Sequence, residues 1–539
     1  MKAFRALPLA LLFLAGCLSS ARAAEPARSS AAATGPVAAE MLRLPARCRV
    51  ETAPGSGRHH ALTKILEWKP AQTAIVVCDM WDDHYCQSSA RRVREMAPRM
   101  NEVLHAARAR GVFIIHCPSG TTDFYDGSPQ RELAQRAPEF ESKVPLEGWC
   151  KLDPEREGSL PIDDSNGGCD DDPIPPAVRK YNRQIDLLEI AEGDAVAAGY
   201  EPLRLMRQRG IENVIVMGVH TNICVLGRPF GIRQLVKQGK NVVLMRDLTD
   251  TMYDPRKAPF VSHFTGNDLV VGHVETHWCP TILSTAFVGG DEFRFEEDKR
   301  PHVAIVMAEE EYGTEQTLPK FALEQLGKDF RVSLVFANPQ DRDDIPGLEV
   351  LDEVDLAIFA VRRRAPKESQ MAHIRKFFAD GKPLVALRTT SHAFHLKGKE
   401  TPAGHAAWNE FDREILGGYY QNHHGGGKRV AVTVAAGAAD HPILAGVDAA
   451  RLADVGSLYR SAPLLKAATP LLIGAIDGAA PEPIAWTNRY GSLEGESAPA
   501  DETRGRVFYA SIGGVKNFED PQFVRLLKNA VHWAAGNHE

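Results

Sequence analysis

A chain of 539 residues is too long to fold around one ordinary hydrophobic core, so two large domains are expected. With 44% hydrophobic and 25% charged residues it reads as globular, and a net charge of -7 gives no electrostatic case for binding nucleic acid. Basic runs such as Arg362-Arg363-Arg364 are too short to alter that and read as solvated loops.

The chain opens on a targeting pattern. Lys2 and Arg5 precede a short apolar run, Ala6 to Gly16, and Ala21-Arg22-Ala23 offers a small-x-small cleavage site, so residues 1–23 read as a signal peptide. Leu14-Ala15-Gly16-Cys17 also resembles a bacterial lipobox, whose cysteine carries lipid. Either reading exports the mature protein, to the periplasm or to the cell envelope, with membrane contact only through a lipid on Cys17. No later segment is apolar enough to span a bilayer. Residues 24–60, rich in Ala, Pro, Ser and Arg, read as a linker or wrapping arm. Of the nine cysteines, the eight beyond Cys17 all precede residue 280, which itself supports a two-domain split. Cys150 and Cys169 are the best candidates for a disulfide. No C-x-x-C spacing occurs, which disfavours a zinc ribbon or a thioredoxin site.

A first domain is expected over 61–292. Thr73–Cys78 is a strand, and Arg91–Arg110 is a helix with Val93, Met96, Met100, Val103, Leu104 and Ala107 at helical spacing and Gly111 as its stop. Val112–His116 is the next strand, which makes a right-handed parallel unit. Pro118 to Asn182 is irregular and reads as a functional insertion. Within it, Asp163–Asp172 is either a hard-cation loop or a solvated acidic loop. The second is favoured, because the ligand spacing is not that of an EF-hand. Regular structure resumes with strand Ile185–Ile190, helix Pro202–Arg209, strand Asn213–Met217, a helix from Val225 to Gln238, and strand Asn241–Met245. The charged Arg294–Arg300 connects to a second domain over 300–538. There His302–Met307, Arg331–Phe336, Leu356–Val361, Pro383–Arg388 and Val507–Ser511 read as strands, with helices at Thr317–Leu326, Ser369–Phe378 and Asp520–Ala535. The fold class is α/β: two open, mostly parallel three-layer sheets of Rossmann-like or flavodoxin-like type.

The chemistry concentrates at two strand ends. Val214 to Gly218 delivers Cys224 to a strand-to-helix turn, where the positive end of a helix dipole lowers a thiol's pKa. Asp79 sits at the C-terminal edge of an earlier strand, where open α/β sheets place their sites, and could take the thiol proton or protonate a leaving amine. The alternative is that Cys224 is one more buried small residue. Gly218-Val219-His220-Thr221-Asn222-Ile223-Cys224 and Val76-Val77-Cys78-Asp79-Met80 resemble the two signatures of the isochorismatase-like, or nicotinamidase-related, cysteine hydrolases. The resemblance covers about residues 62 to 290. It implies hydrolysis of an amide-type C–N bond of a small molecule through a thioester, with Cys224 as nucleophile and Asp79 as general acid/base. It also implies a cis peptide before His220 and an oxyanion hole from backbone N–H groups around Val219, His220, Ile223 and Cys224. The family's catalytic lysine falls at Ala191 here, so another cation must replace it; Arg183 is preferred over Lys180. His220 is either a turn residue or a pocket donor. Trp81, Phe124 and Tyr125 either line the substrate pocket or pack. His84, His116 and Asp123 do not make an intact metal motif, so neither metal nor cofactor is expected.

The second domain resembles the ThuA-like, or trehalose-utilisation, proteins, which are related to class I glutamine amidotransferases. The resemblance rests on Pro383 to His392, Leu416-Gly417-Gly418-Tyr419-Tyr420 with His423-His424, Asp440-His441-Pro442-Ile443-Leu444, and Pro483 to Thr487. The amidotransferase cysteine elbow is here Thr389-Thr390-Ser391, and the domain has no cysteine. Ser391-His392 lacks the Gly-x-Ser-x-Gly setting of a serine nucleophile. His392, His405, Trp408, Tyr420 and His424 suit a sugar or polyol ligand, since aromatic faces pack on C–H surfaces and imidazoles bond hydroxyls. The expected protein is an exported hydrolase fused to a carbohydrate-related domain, acting on a small amide-like substrate, with a homo-oligomer left open. The competing expectation is a non-catalytic envelope scaffold built from two degenerate enzyme folds.

Overall fold

A computed structural model describes residues 40–537 apart from 143, 426–428, 453–455 and 492–502. The expected signal peptide, Cys17 and residues 24–39 of the expected arm lie outside the described residues. The first sheet contains β1 (Leu42–Glu51), β2 (His59–Trp68), β3 (Thr73–Cys78), β4 (Phe113–Cys117), β5 (Ala195–Val196), β6 (Asn213–Val219), β7 (Asn241–Asp250) and β8 (Thr281–Ile282). Its order is β2-β1-β8-β7-β6-β3-β4-β5, with β8 through β5 parallel and the β1–β2 hairpin antiparallel at one edge.

The second sheet contains β9 (His302–Ala308), β10 (Arg331–Phe336), β11 (Leu356–Val361), β12 (Leu384–Leu387), β14 (Ala431–Val434), β16 (Thr469–Ala475), β17 (Glu482–Arg489) and β18 (Arg506–Ala510); β13 (Asn422–His423) and β15 (Tyr459–Arg460) form a separate ribbon. Five strands, in the order β10-β9-β11-β12-β18, are parallel, and β17, β16 and β14 continue the sheet antiparallel.

Both sheets are buried on two faces, which explains their unbroken apolar runs. On one face of the first sheet Val76, Ile115, Val216 and Leu244 pack with the helices Glu201–Gln208 and Ile232–Lys237. On the other, Ile75, Val77, Ile215 and Val243 meet the helix Gln87–Ala109 through Val93, Met96 and Met100. The second sheet repeats this layering, with the helix Pro521–Ala534 on one side and Glu368–Ala379 on the other. Both halves are therefore three-layer α/β structures.

Four expectations are corrected. Residues 42–60 are not part of a linker: Leu42, Leu44 and Ala46 alternate with exposed residues and bury one face of β1 against the sheet. Ile185–Ile190 is not a strand. Gln184 makes one isolated bridge to Trp81, and the sheet edge is the short β5 instead. The helix after Cys224 does not run to Gln238. A π-turn, Thr221–Val225, ends within two residues, and Pro229, which has no N–H to donate, precedes a fresh helix at Ile232. Cys150 and Cys169 are both free and sit in different surroundings. The Cys150 thiol bonds Gln234 Oε1 at 3.4 Å, whereas Cys169 packs with Cys86 and Met252.

The hairpin's place in the core gives a measurable consequence. Leu44→Ala is expected to cost roughly 2–5 kcal/mol in chemical denaturation, whereas a surface arm would change stability by less than about 0.5 kcal/mol.

Candidate active site

Three parallel strands, β4, β3 and β6, end side by side and present their C-terminal edges to one place. Gly218 lets β6 approach β3 there: its φ is 112°, and a Cβ would lie 2.1 Å from the Cys78 carbonyl oxygen. The next peptide, Val219–His220, is cis, as the family resemblance implies. The turn is pinned from behind. Thr249 Oγ1 donates to the Gly218 carbonyl at 2.7 Å, and Asn222 donates to Asp164 Oδ2 at 2.8 Å and accepts from the Met252 N–H at 3.0 Å.

Cys224 comes out of this turn 5% exposed, and Asp79, at the end of β3, is fully buried with φ 47°. Asp79 Oδ1 accepts the Ser119 N–H at 2.7 Å. Its other oxygen accepts Nε of Arg228 at 3.0 Å. The thiol of Cys224 interacts with both Asp79 and Arg228. Burial and the Asp79 charge push that thiol well above its ordinary range, and Arg228 pulls the other way. The nucleophile candidate therefore rests protonated beside an ion pair.

Arg228 is the cation the sequence reading missed. It stands four residues after Cys224, where the Pro229 break turns the chain. Arg183, the preferred substitute for the family lysine, points elsewhere. Its guanidinium bonds Asp186 at 2.6 Å and lies 5.5 Å over the exposed Phe124 ring. The signal available in sequence was positional: an arginine one helical turn beyond the nucleophile, held by a following proline.

The surrounding residues sort clearly. Trp81 is buried, stacks on Tyr181 at 4.2 Å and donates to the Ser119 carbonyl, so it buttresses the loop that holds Asp79. Tyr125 OH accepts the Gln184 N–H at 2.9 Å, and its ring meets that of Phe124 edge-on at 5.1 Å. Trp149, from the long insertion, leans on Gly227 and lies 5.4 Å from Arg228. His220 turns inward, with Nε2 2.6 Å from Ser89 Oγ; burial first, then His84, holds its pKa down to about 3, so it is neutral. Of the expected oxyanion donors, the Ile223 N–H is taken by the His220 carbonyl at 3.0 Å.

The acidic loop is neither a solvated loop nor a free set of cation ligands. Asp164 holds Asn222, and Asp170 pairs with Arg92 at 2.8 Å. Asp171 caps the helix Gln87–Ala109 through the N–H groups of Gln87 and Ser88. His116, His84 and Asp123 do not converge: His116 bonds Gln184 and Asp194. Among the described residues one group with metal-ligand proximity is Cys86, Cys169 and Asp171, within 4.8 Å of one another. Both Asp171 oxygens are already spent on the helix cap, and burial pushes both thiols up.

In the second half, β12 ends at Leu387 and the next residue, Arg388, has φ 47°, so the elbow lies one residue earlier than Thr389. Its guanidinium lies 4.0 Å over the Tyr312 ring and 5.4 Å from the Tyr459 ring. His392 stacks on Tyr420 at 4.4 Å, Tyr420 meets Tyr459 at 4.8 Å, and His423 approaches the same Tyr459 ring. Burial and the Arg363 charge hold His392 down to about 2. Asp412 Oδ2 accepts the Tyr420 N–H at 2.5 Å, its other oxygen is buried without a partner, and burial raises its pKa to about 7. His424 is half-buried, with Nε2 lacking a partner. His405 and Trp408 stand apart from this cluster. His405 bonds the Ala365 carbonyl at 2.7 Å, and Trp408 packs on Phe378 and Phe411.

The sequence of this half decides one relationship. Residues 302–534 match the ThuA family model, described as trehalose utilisation. No curated protein matches the chain. Among solved structures, a cysteine hydrolase from Pseudomonas syringae pv. phaseolicola is 18% identical, covering 40% of this chain and 92% of its own, with a TM-score of 0.26. An isochorismatase from Pseudomonas putida is 15% identical, covering 41% and 91%, with a TM-score of 0.25. A ThuA-like protein from Parabacteroides merdae is 15% identical, covering 44% and 92%, with a TM-score of 0.32. Likenesses at this level decide no chemistry. No helix among the described residues is long and apolar enough to cross a membrane.

The electrostatics of Cys224 have a direct readout. Because its thiol titrates above the ordinary value of 9.0, alkylation by iodoacetamide is expected to keep accelerating beyond that pH. Arg228→Met removes the cation that favours the thiolate here, so it is expected to slow labelling near neutral pH by about tenfold, followed by mass spectrometry of the Cys224 peptide.

Proposed function

We propose that the first half is a cysteine hydrolase acting on an amide-type C–N bond of a small molecule. The observation that carries the reading is the convergence of Cys224, Asp79 and Arg228 at the C-terminal edge of a parallel sheet.

Asp79 takes the proton of Cys224 as the thiolate attacks the carbonyl carbon, and Arg228 offsets the negative charge that remains. The Ile223 N–H is engaged by the His220 carbonyl, and in this reading the nucleophile's own N–H, that of Cys224, meets the developing oxyanion. Asp79, now protonated, gives its proton to the departing nitrogen, and an amine and a thioester result. Water then attacks the thioester with Asp79 again as base, releasing the acid and restoring the thiol. Trp149, packed on Gly227 and under Arg228, suits a substrate wall.

The ThuA match supports a carbohydrate-related role for the second half, centred on His392, Tyr420 and Tyr459, with Arg388 at the elbow. Export, with or without a lipid on Cys17, is part of the same proposal.

A panel of small amides and ureides tests the first reading. Turnover is expected, and Cys224→Ser should abolish it. Asp79→Asn should lower kcat/KM by roughly 10²–10⁴-fold. Turnover that survives Cys224→Ala would remove this thiol from the mechanism. For the second half, calorimetry of the whole chain with mono- and disaccharides should give heats that Tyr420→Ala eliminates; unchanged heats in that variant would place the sugar elsewhere.

A further inference from the structure

Where the two halves meet, a cavity of about 60 Å³ is lined by five arginines, Arg47, Arg246, Arg294, Arg300 and Arg331, against four carboxylates, Asp247, Asp268, Glu292 and Asp298. Four have carboxylate partners. Arg331 pairs with Glu292, Arg300 with Asp298 and Asp268, Arg294 with Asp298, and Arg47 with Glu275. Arg246, at the middle of β7, is different. Its Nη1 has only long bonds, 3.3 and 3.4 Å, to the carbonyl and hydroxyl of Thr281, and its Nε is buried with no partner.

The nearest carboxylates cannot serve it. Asp247 accepts from the Ser284 N–H and hydroxyl and from the Phe293 N–H. Glu275 is shared by Arg47, Arg49 and Thr281. His302 adds no second charge, because burial and Arg331 hold its ring well below its ordinary range. Burial, then Arg47, draws Arg246 itself down to about 9, still protonated at neutral pH. Arg246 is part-buried and feels the charges of Glu275 and Asp247, but its Nε is closed off from solvent with no partner, and a guanidinium that cannot usefully shed its proton is stabilised there by an acceptor from solution.

We propose that Arg246, with Arg47 and Arg331 beside it, binds one small oxyanion of the phosphate or sulfate class in this cavity. The volume has room for about four waters, or for one such ion in their place. Arg47 and Arg246 also line an adjoining cavity of about 290 Å³, whose other wall carries Glu349, Asp352 and Glu353. The bound ion would join β7 and β1 of the first sheet to β10 of the second, through planar guanidinium forks suited to oxyanions. The proposal does not rest on the chemistry of Cys224.

Thermal unfolding and calorimetry of the full chain test this with sodium phosphate, sodium sulfate and sodium chloride at equal ionic strength. Phosphate or sulfate should give a saturable heat and a rise in Tm that chloride does not. Arg246→Met should weaken that binding at least about tenfold while leaving the chain folded, since a flat apolar side chain relieves a buried charge. Arg246→Lys, which keeps the charge but loses the fork, should fall between. No saturable heat from either oxyanion with the unaltered protein, or an undiminished one in Arg246→Met, would overturn the proposal.

Discussion

Asp79 has no contact with solvent, and a buried carboxylate is tolerable only when its charge is met. Ser119 supplies one N–H and Arg228 the cation. This pair decides the state of everything around it. Arg228 belongs to the turn that carries Cys224, so the salt bridge fastens the end of β3 to the segment following β6. Breaking one partner would leave the other charged and stranded, which is why the thiol can be placed beside it without the pair drifting apart.

The rest of the first half keeps that geometry fixed. The turn has a cis peptide, a tight glycine and a π-turn, and none of these is held by regular helix or sheet pairing alone. Asn222 carries the load through three bonds to Asp164 and Met252. Asp170 and Asp250 share Arg92 from the helix Gln87–Ala109, and His263 closes the network on Asp250 at 2.8 Å. The long irregular insertion is thus a clamp: its carboxylates are spent on holding the nucleophile turn and the helix in register. The second sheet uses a similar device with different chemistry. Arg388 directly follows β12 with the same φ of 47° that Asp79 adopts directly after β3. Non-glycine residues in that conformation persist where surrounding contacts over-determine them.

Unbroken hydrophobic runs made the central strands legible, because strands buried on two faces must be apolar throughout. Thr73–Cys78, Arg331–Phe336 and Leu356–Val361 have the same bounds in sequence and structure. The hairpin of β1 escaped notice because Pro45 and three arginines disguise an alternation that only Leu42, Leu44 and Ala46 sustain. Asp79 and Cys224 were legible because a strand end fixes where they go. Arg228 was not, since a salt bridge 149 residues long in sequence leaves no local pattern. Arg183 was nearer the expected lysine in sequence, yet Asp186 and Asp82 hold it on the surface. The acidic loop misled for the same reason: its partners, Asn222, Arg92 and the start of the helix Gln87–Ala109, are distant in sequence.

Replacing a lysine by an arginine in such a constellation also changes what the site can do. A buried lysine can lose its proton and so can share in proton transfer, whereas a guanidinium stays charged throughout. With Arg228 as the cation, only Asp79 is left beside Cys224 to carry protons. One carboxylate must then accept the thiol proton, deliver it to the leaving nitrogen and activate water in turn. That sequence requires Asp79 to loosen its hold on Arg228 whenever it is protonated. On the proposed mechanism the ion pair would weaken as the thioester formed, at the moment when the cation is needed by the sulfur and the oxyanion. A fixed cation shared between two alternating anions makes proton position and charge stabilisation a single coupled variable. This is how the turn could work without the lysine that the family resemblance implies.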